Sequence, residues 1–61
     1  MTAKQIIEDI KWRINDDKEN IKWYQKQLEN SPNDESLKDK MSIRIIQMEA
    51  KEMILRGFGL L

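Results

Sequence analysis

The chain has 61 residues, room for one small domain with little apolar surface to bury. Cysteine and histidine are both absent, which excludes disulfides, thiolate metal sites and cysteine nucleophiles and leaves only carboxylates for a transition metal, so neither a metal nor a cofactor is expected. Basic and acidic residues number 11 each and are interspersed, unlike the strongly basic footprint of a dedicated nucleic-acid binder.

The first predicted element starts at Thr2, an N-cap candidate with Gln5 three residues on to complete a capping box. From Ala3 to Glu29 there is neither glycine nor proline, so nothing breaks a helix of roughly 40 Å. Its apolar residues keep heptad spacing: Ala3, Ile7, Ile10, Ile14, then Asp17, then Ile21, Tyr24 and Leu28. The start of the chain carries no continuous apolar h-region, and no apolar run approaches the roughly 18 residues of a membrane span. A cytoplasmic protein with no membrane contact is therefore expected. Abundant Lys, Ile, Asn and Asp suit an AT-rich bacterial or phage genome.

Two features of this helix stand out from the seam. Asp17 is a charged residue within it. In an antiparallel hairpin turning near Ser31, position 17 meets the helical turn carrying Arg44, Ile45 and Ile46, so an Asp17–Arg44 pair is expected, within or between chains. Such a pair commonly fixes register or oligomeric state; the alternative is a solvated carboxylate at the seam edge. Trp12 and Trp23 are about three turns apart, some 16 Å, on one face nearly opposite the Ile seam. Asp9, Asp16, Glu19 and Lys26 surround them. Tryptophans away from the main core are candidate anchors for a protein partner. They could instead pack on another copy or on the Phe58-Leu60-Leu61 tail.

Asn30-Ser31-Pro32-Asn33-Asp34 is the break. Pro32 disfavours a helical Ser31 and suits the first turn of a second helix, with Ser31 or Asn33 as its N-cap and Asp34 and Glu35 at the positive end of the dipole. So short a connection implies antiparallel neighbours. The expected boundaries are helix 3–29, turn 30–33, helix 33–56, and an apolar tail 57–61 free to fold back on the end of the hairpin.

The second helix carries two apolar arcs. One holds Leu37, Met41, Ile45, Met48 and Leu55; the other holds Ile43, Ile46, Ala50, Met53 and Ile54. Lys38, Ser42, Glu49 and Arg56 separate them on one side, and Lys40, Arg44, Gln47 and Lys51 on the other. One arc serves the first helix. The second, Ile43, Ile46, Ala50, Met53 and Ile54, is assigned to an oligomer interface. The fold expected is all-α, an antiparallel helical hairpin dimerising into a four-helix bundle. Its expected core is Ile7, Ile10, Ile14, Ile21, Tyr24, Leu28, Leu37, Met41, Ile45, Ile46, Met48, Met53 and Leu55. Met41 and Met48, a heptad apart, are read as core or dimer seam rather than an adaptable binding surface.

No enzymatic activity is expected. A hairpin this small offers no concave site of the usual size for acid–base chemistry. Arg56-Gly57-Phe58-Gly59 follows a helix and lacks the Lys-Ser/Thr ending of a phosphate loop. The leading reading is a small non-enzymatic regulator or inhibitor, a homodimer that occludes an unidentified protein partner. A phage- or mobile-element-encoded inhibitor of a host enzyme or defence complex fits that reading. Trp12 and Trp23 would anchor it, with Asp9, Asp16 and Glu19 as a charged rim suited to a basic groove. The alternatives are an RNA- or DNA-binding bundle using Lys40, Arg44 and Lys51, or a structural assembly subunit. The small RNA-binding hairpin dimer that regulates plasmid copy number offers a precedent by architecture for the nucleic-acid reading, without a shared motif.

Overall fold

The computed structural model describes residues 2–60. They form two α-helices, α1 (Ala3–Asn30) and α2 (Glu35–Gly57), packed on each other as a hairpin. The molecule is a rod of 43 × 17 × 16 Å, its long axis set by the 28 residues of α1.

Helix α1 opens as the sequence expects. The Thr2 backbone N–H donates to Gln5 Oε1 (2.8 Å) and the Gln5 N–H to Thr2 Oγ1 (3.2 Å), a complete capping box. At the other end the Ser31 N–H donates to the Gln27 carbonyl (3.0 Å).

The connection differs from expectation by two residues. Pro32 does not start α2. It sits inside a turn closed by the Asp34 N–H on the Ser31 carbonyl at 3.1 Å, where its fixed φ suits the second position. The N-cap of α2 is Asp34, not Ser31 or Asn33, and its Oδ1 accepts from the Leu37 N–H at 3.1 Å. A carboxylate at that place stabilises the helix as a hydrogen-bond acceptor and as a charge on the positive end of the dipole.

The far end of α2 is closed by a Schellman turn. Gly59 adopts φ 72°, a conformation glycine enters without steric cost. The Leu60 N–H donates to the Leu55 carbonyl (2.9 Å) and the Gly59 N–H to that of Arg56 (2.9 Å). Gly57 lies within the helix, so Gly59 is the stop. Part of the expected tail does fold back: Leu60 lines a groove with Ile14 and Leu55. Phe58 stays exposed, and Leu61 lies outside the described residues.

The core is thin. Among the described residues Ile14, Ile21 and Leu55 are its buried apolar side chains, and the polar Asp17 is buried with them. Ile7, Ile10, Tyr24, Leu28, Leu37, Met41, Ile45 and Met48 are half-buried along the same seam. Ile46 and Met53, expected in the core, are 65% and 68% exposed in the hairpin. At about 100° per residue they fall on the side of α2 turned away from α1. The exposed surface is 4811 Å², against about 4,200 Å² for a compact fold of this mass. The excess follows from two helices having only one shared face to hide.

Candidate functional site

Three places carry chemistry that the packing of a hairpin does not require: an ion cluster at the seam, and the outer face of each helix.

Asp17 is 1% exposed, yet both its oxygens are satisfied. Oδ1 accepts from Arg44 Nη1 at 3.1 Å and Oδ2 from Lys51 Nζ at 2.5 Å. The heptad of α1 points Asp17 inward. Arg44 and Lys51, two turns apart on α2, reach it from either side while their own side chains keep contact with water. The expected Asp17–Arg44 pair is present within the chain. Lys51 is the member that sequence reasoning missed; its heptad spacing from Arg44 was the available signal. A carboxylate with a cation on each oxygen is held by charge-assisted hydrogen bonds, and among the described residues no buried side-chain N or O atom lacks a partner. The cluster clamps the register of α1 on α2.

This arrangement bears directly on the basic strip. Of Lys40, Arg44 and Lys51, the last two are directed at Asp17. Only Lys40 remains an exposed cation outside that cluster. The strip offers phosphates much less than its sequence implies.

The outer face of α1 carries Trp12 and Trp23, 66% and 54% exposed. Trp23 rests edge-on against Tyr24, with ring centroids 5.1 Å apart. The tail does not cover them, because Leu60 turns to the Leu55 side. Of the acidic rim, Asp9 is paired with Arg13 (2.9 Å) and Glu19 with Lys22 (3.5 Å), both along the helix and exposed. Such pairs contribute about 0.3–0.5 kcal/mol and exchange partners at little cost. Among the described residues Asp16 makes no ion pair, and its carbonyl accepts from the Asn20 side chain.

The outer face of α2 carries Ile43, Ile46, Ala50, Met53 and Ile54, all exposed. They form one continuous strip on the side of α2 turned away from α1. The hairpin therefore brings Asp17, Arg44 and Lys51 together and keeps the Trp pair and the Ile–Met strip on opposite outer sides.

Among the described residues no cluster of three or more acidic side chains could hold a metal ion, and no helix is long and apolar enough to cross a membrane. No family model matches the chain, and comparison with curated proteins and with solved structures finds no match.

Proposed function

We propose that this chain is a protein-interaction module that self-associates through α2 and uses the Trp12–Trp23 face of α1 to occlude a protein partner. One observation carries this reading: among the described residues nine large apolar side chains stand exposed while three are buried in the core, and most of the nine sort onto two opposite outer faces. Large apolar surface arranged in contiguous patches marks interaction sites. The α2 strip is purely apolar along its centre, as interfaces between copies are. The α1 face mixes aromatic anchors with carboxylates, as a rim-and-anchor surface for a different protein does. A basic partner surface fits it, since cations pair with Asp9, Asp16 and Glu19 and stack on the indoles.

The mode of action is occlusion without chemistry, as expected of an inhibitor or regulator. The test is solution mass over a range of concentrations, with tryptophan emission read on the same samples. A dimer with red-shifted, quenchable tryptophans is the expected result. A monomer at all concentrations overturns self-association. A dimer with blue-shifted, protected tryptophans shows that the Trp pair is consumed by self-association and overturns the assignment of that face to another protein.

A further inference from the structure

The outer strip of α2 has a more specific pattern than exposure alone. Ile43, Ile46, Ala50, Met53 and Gly57 follow spacings of three, four, three and four, the seam of a two-helix contact. From Ile46 onward large and small residues alternate along it, and a Cβ placed on Gly57 would meet nothing within 4 Å. Glu49 and Arg56, two turns apart, line one edge of the seam, both exposed and both without an ion pair among the described residues. A groove lined by Met48, Glu49, Glu52, Met53 and Arg56 runs beside them.

These features discriminate among ways of pairing two copies. Parallel pairing sets Ala50 on Ala50 and Gly57 on Gly57, leaving voids, and keeps Glu49 away from Arg56. One antiparallel register sets Ile46 opposite Ala50 but brings Glu49 against Glu49. Sliding by one heptad sets Met53 opposite Ala50, Ile46 opposite Gly57, and Glu49 opposite Arg56, twice by symmetry. In this register each small residue receives a large one, and the edge charges match.

We propose that a second copy of this chain seats antiparallel on the outer face of α2, with Met53 opposite Ala50 and Glu49 opposite Arg56 of the second copy. The inference rests on the self-association proposed above and specifies its geometry. The strip lies roughly 180° round α2 from Leu55, which faces α1. A square four-helix bundle would need the two apolar arcs about a quarter turn apart. Here the four helices line up in a row, the two α2 helices in the middle, and the two Trp faces are left at the outer edges. The dimer is then bivalent for the partner of that face.

The full chain contains no cysteine, so Ser36→Cys provides a unique spin-label site near the start of α2, beyond the seam. The proposed register places the two labels about 45 Å apart; the other antiparallel register gives about 35 Å and a parallel pair about 10 Å. A distance near 45 Å is the expected result, and either other distance in a dimer overturns the arrangement while leaving self-association intact. A monomer overturns both. Charge reversal provides a second arm by sedimentation. Glu49→Arg or Arg56→Glu alone should weaken the dimer about tenfold, and the double variant should restore it. A dimer indifferent to either reversal, or not restored by both, overturns the Glu49–Arg56 register.

Discussion

The seam between the helices and the outer faces of the same helices are built from the same residue types but answer to different neighbours. The seam holds Ile14, Ile21, Leu55 and the clamped Asp17, all buried by the other helix of the same chain. The outer faces hold Ile, Met and Trp side chains as large as any in the seam, left in water by the hairpin alone. Isoleucine at Ile21 stabilises the fold; isoleucine at Ile46 does nothing for a single hairpin. The difference teaches that apolar content in a short chain is a poor guide to its core. What matters is which arc of the helix a residue occupies, and whether its own chain supplies the opposite surface.

The comparison is broken most severely at Leu55, which is fully buried. Leu55→Ala should cost about 3 kcal/mol from lost transfer energy and the cavity left behind. A domain of this length has only about 3–9 kcal/mol in total, so the variant should lose at least about a third of its stability, read by circular dichroism as a much lower unfolding midpoint. Ile46→Ala, an equally large deletion on the outer face, should leave a dilute hairpin unchanged and lower stability only at concentrations where copies associate. Equal losses for the two variants at low concentration would contradict the division between seam and outer face.

Asp17 tests the seam from its polar side. Asp17→Ala leaves Arg44 and Lys51 facing each other with no carboxylate between them. Breaking a buried pair costs about 3–5 kcal/mol when the survivor is trapped. Both cations here reach solvent, so about 2 kcal/mol is expected. Asp17→Leu should recover much of that by filling the seam. If the clamp also sets register, the Leu variant should show heterogeneous helix pairing in amide spectra despite adequate stability. A sharp, unchanged spectrum would reduce the cluster to a passive contact.

A smaller effect is expected at the end of α2. Gly59→Ala places a Cβ on a left-handed backbone and should cost about 1 kcal/mol. The loss should appear as fraying of the last turn and release of Leu60 from Leu55, measurable by amide exchange at Leu60. An exchange rate identical to the parent's would mean the turn is held by something other than its glycine.

Much of this was legible in the sequence. The capping box at Thr2 and Gln5, the uninterrupted heptads of α1 and the break at Pro32 are local signals, and local hydrogen bonding decides each of them. The Asp17–Arg44 pair was legible too, because a short connection fixes which residues of two antiparallel helices meet. Lys51 was missed because its one mark, the heptad spacing from Arg44, does not by itself say that a lysine on a mixed polar strip will turn its long stem toward a carboxylate one helix away. Ile46 and Met53 enter the expected core only through a second copy, since they lie on the second apolar arc, about half a turn from Leu55 and Met48; the hairpin alone leaves that arc exposed. At Pro32 the alternative between a turn position and a first helical position turned on Asp34, whose carboxylate reaches the Leu37 N–H and takes the N-cap from its neighbours.

The smallest expected effect on stability is also the sharpest separation of folding from function. Trp12 and Trp23 sit on the solvent side of α1, where a side chain contributes to the fold through helix propensity and local contacts alone. Alanine is the better helix former by a few tenths of a kcal/mol per site. The edge-on contact of Trp23 with Tyr24 offsets part of that gain, since such aromatic pairs contribute about 0.5–1.5 kcal/mol and this one is half exposed. Trp12→Ala with Trp23→Ala should therefore leave the midpoint of thermal unfolding within a few degrees of the parent. Dimer mass should also be unchanged, because the α2 strip is untouched. Binding to a basic protein surface should fall by at least 100-fold, the loss of two anchors at about 2 kcal/mol each being more than sufficient. A variant that loses stability or dimerises differently would place the tryptophans in the architecture of the assembly and return the α1 face to the same status as the seam.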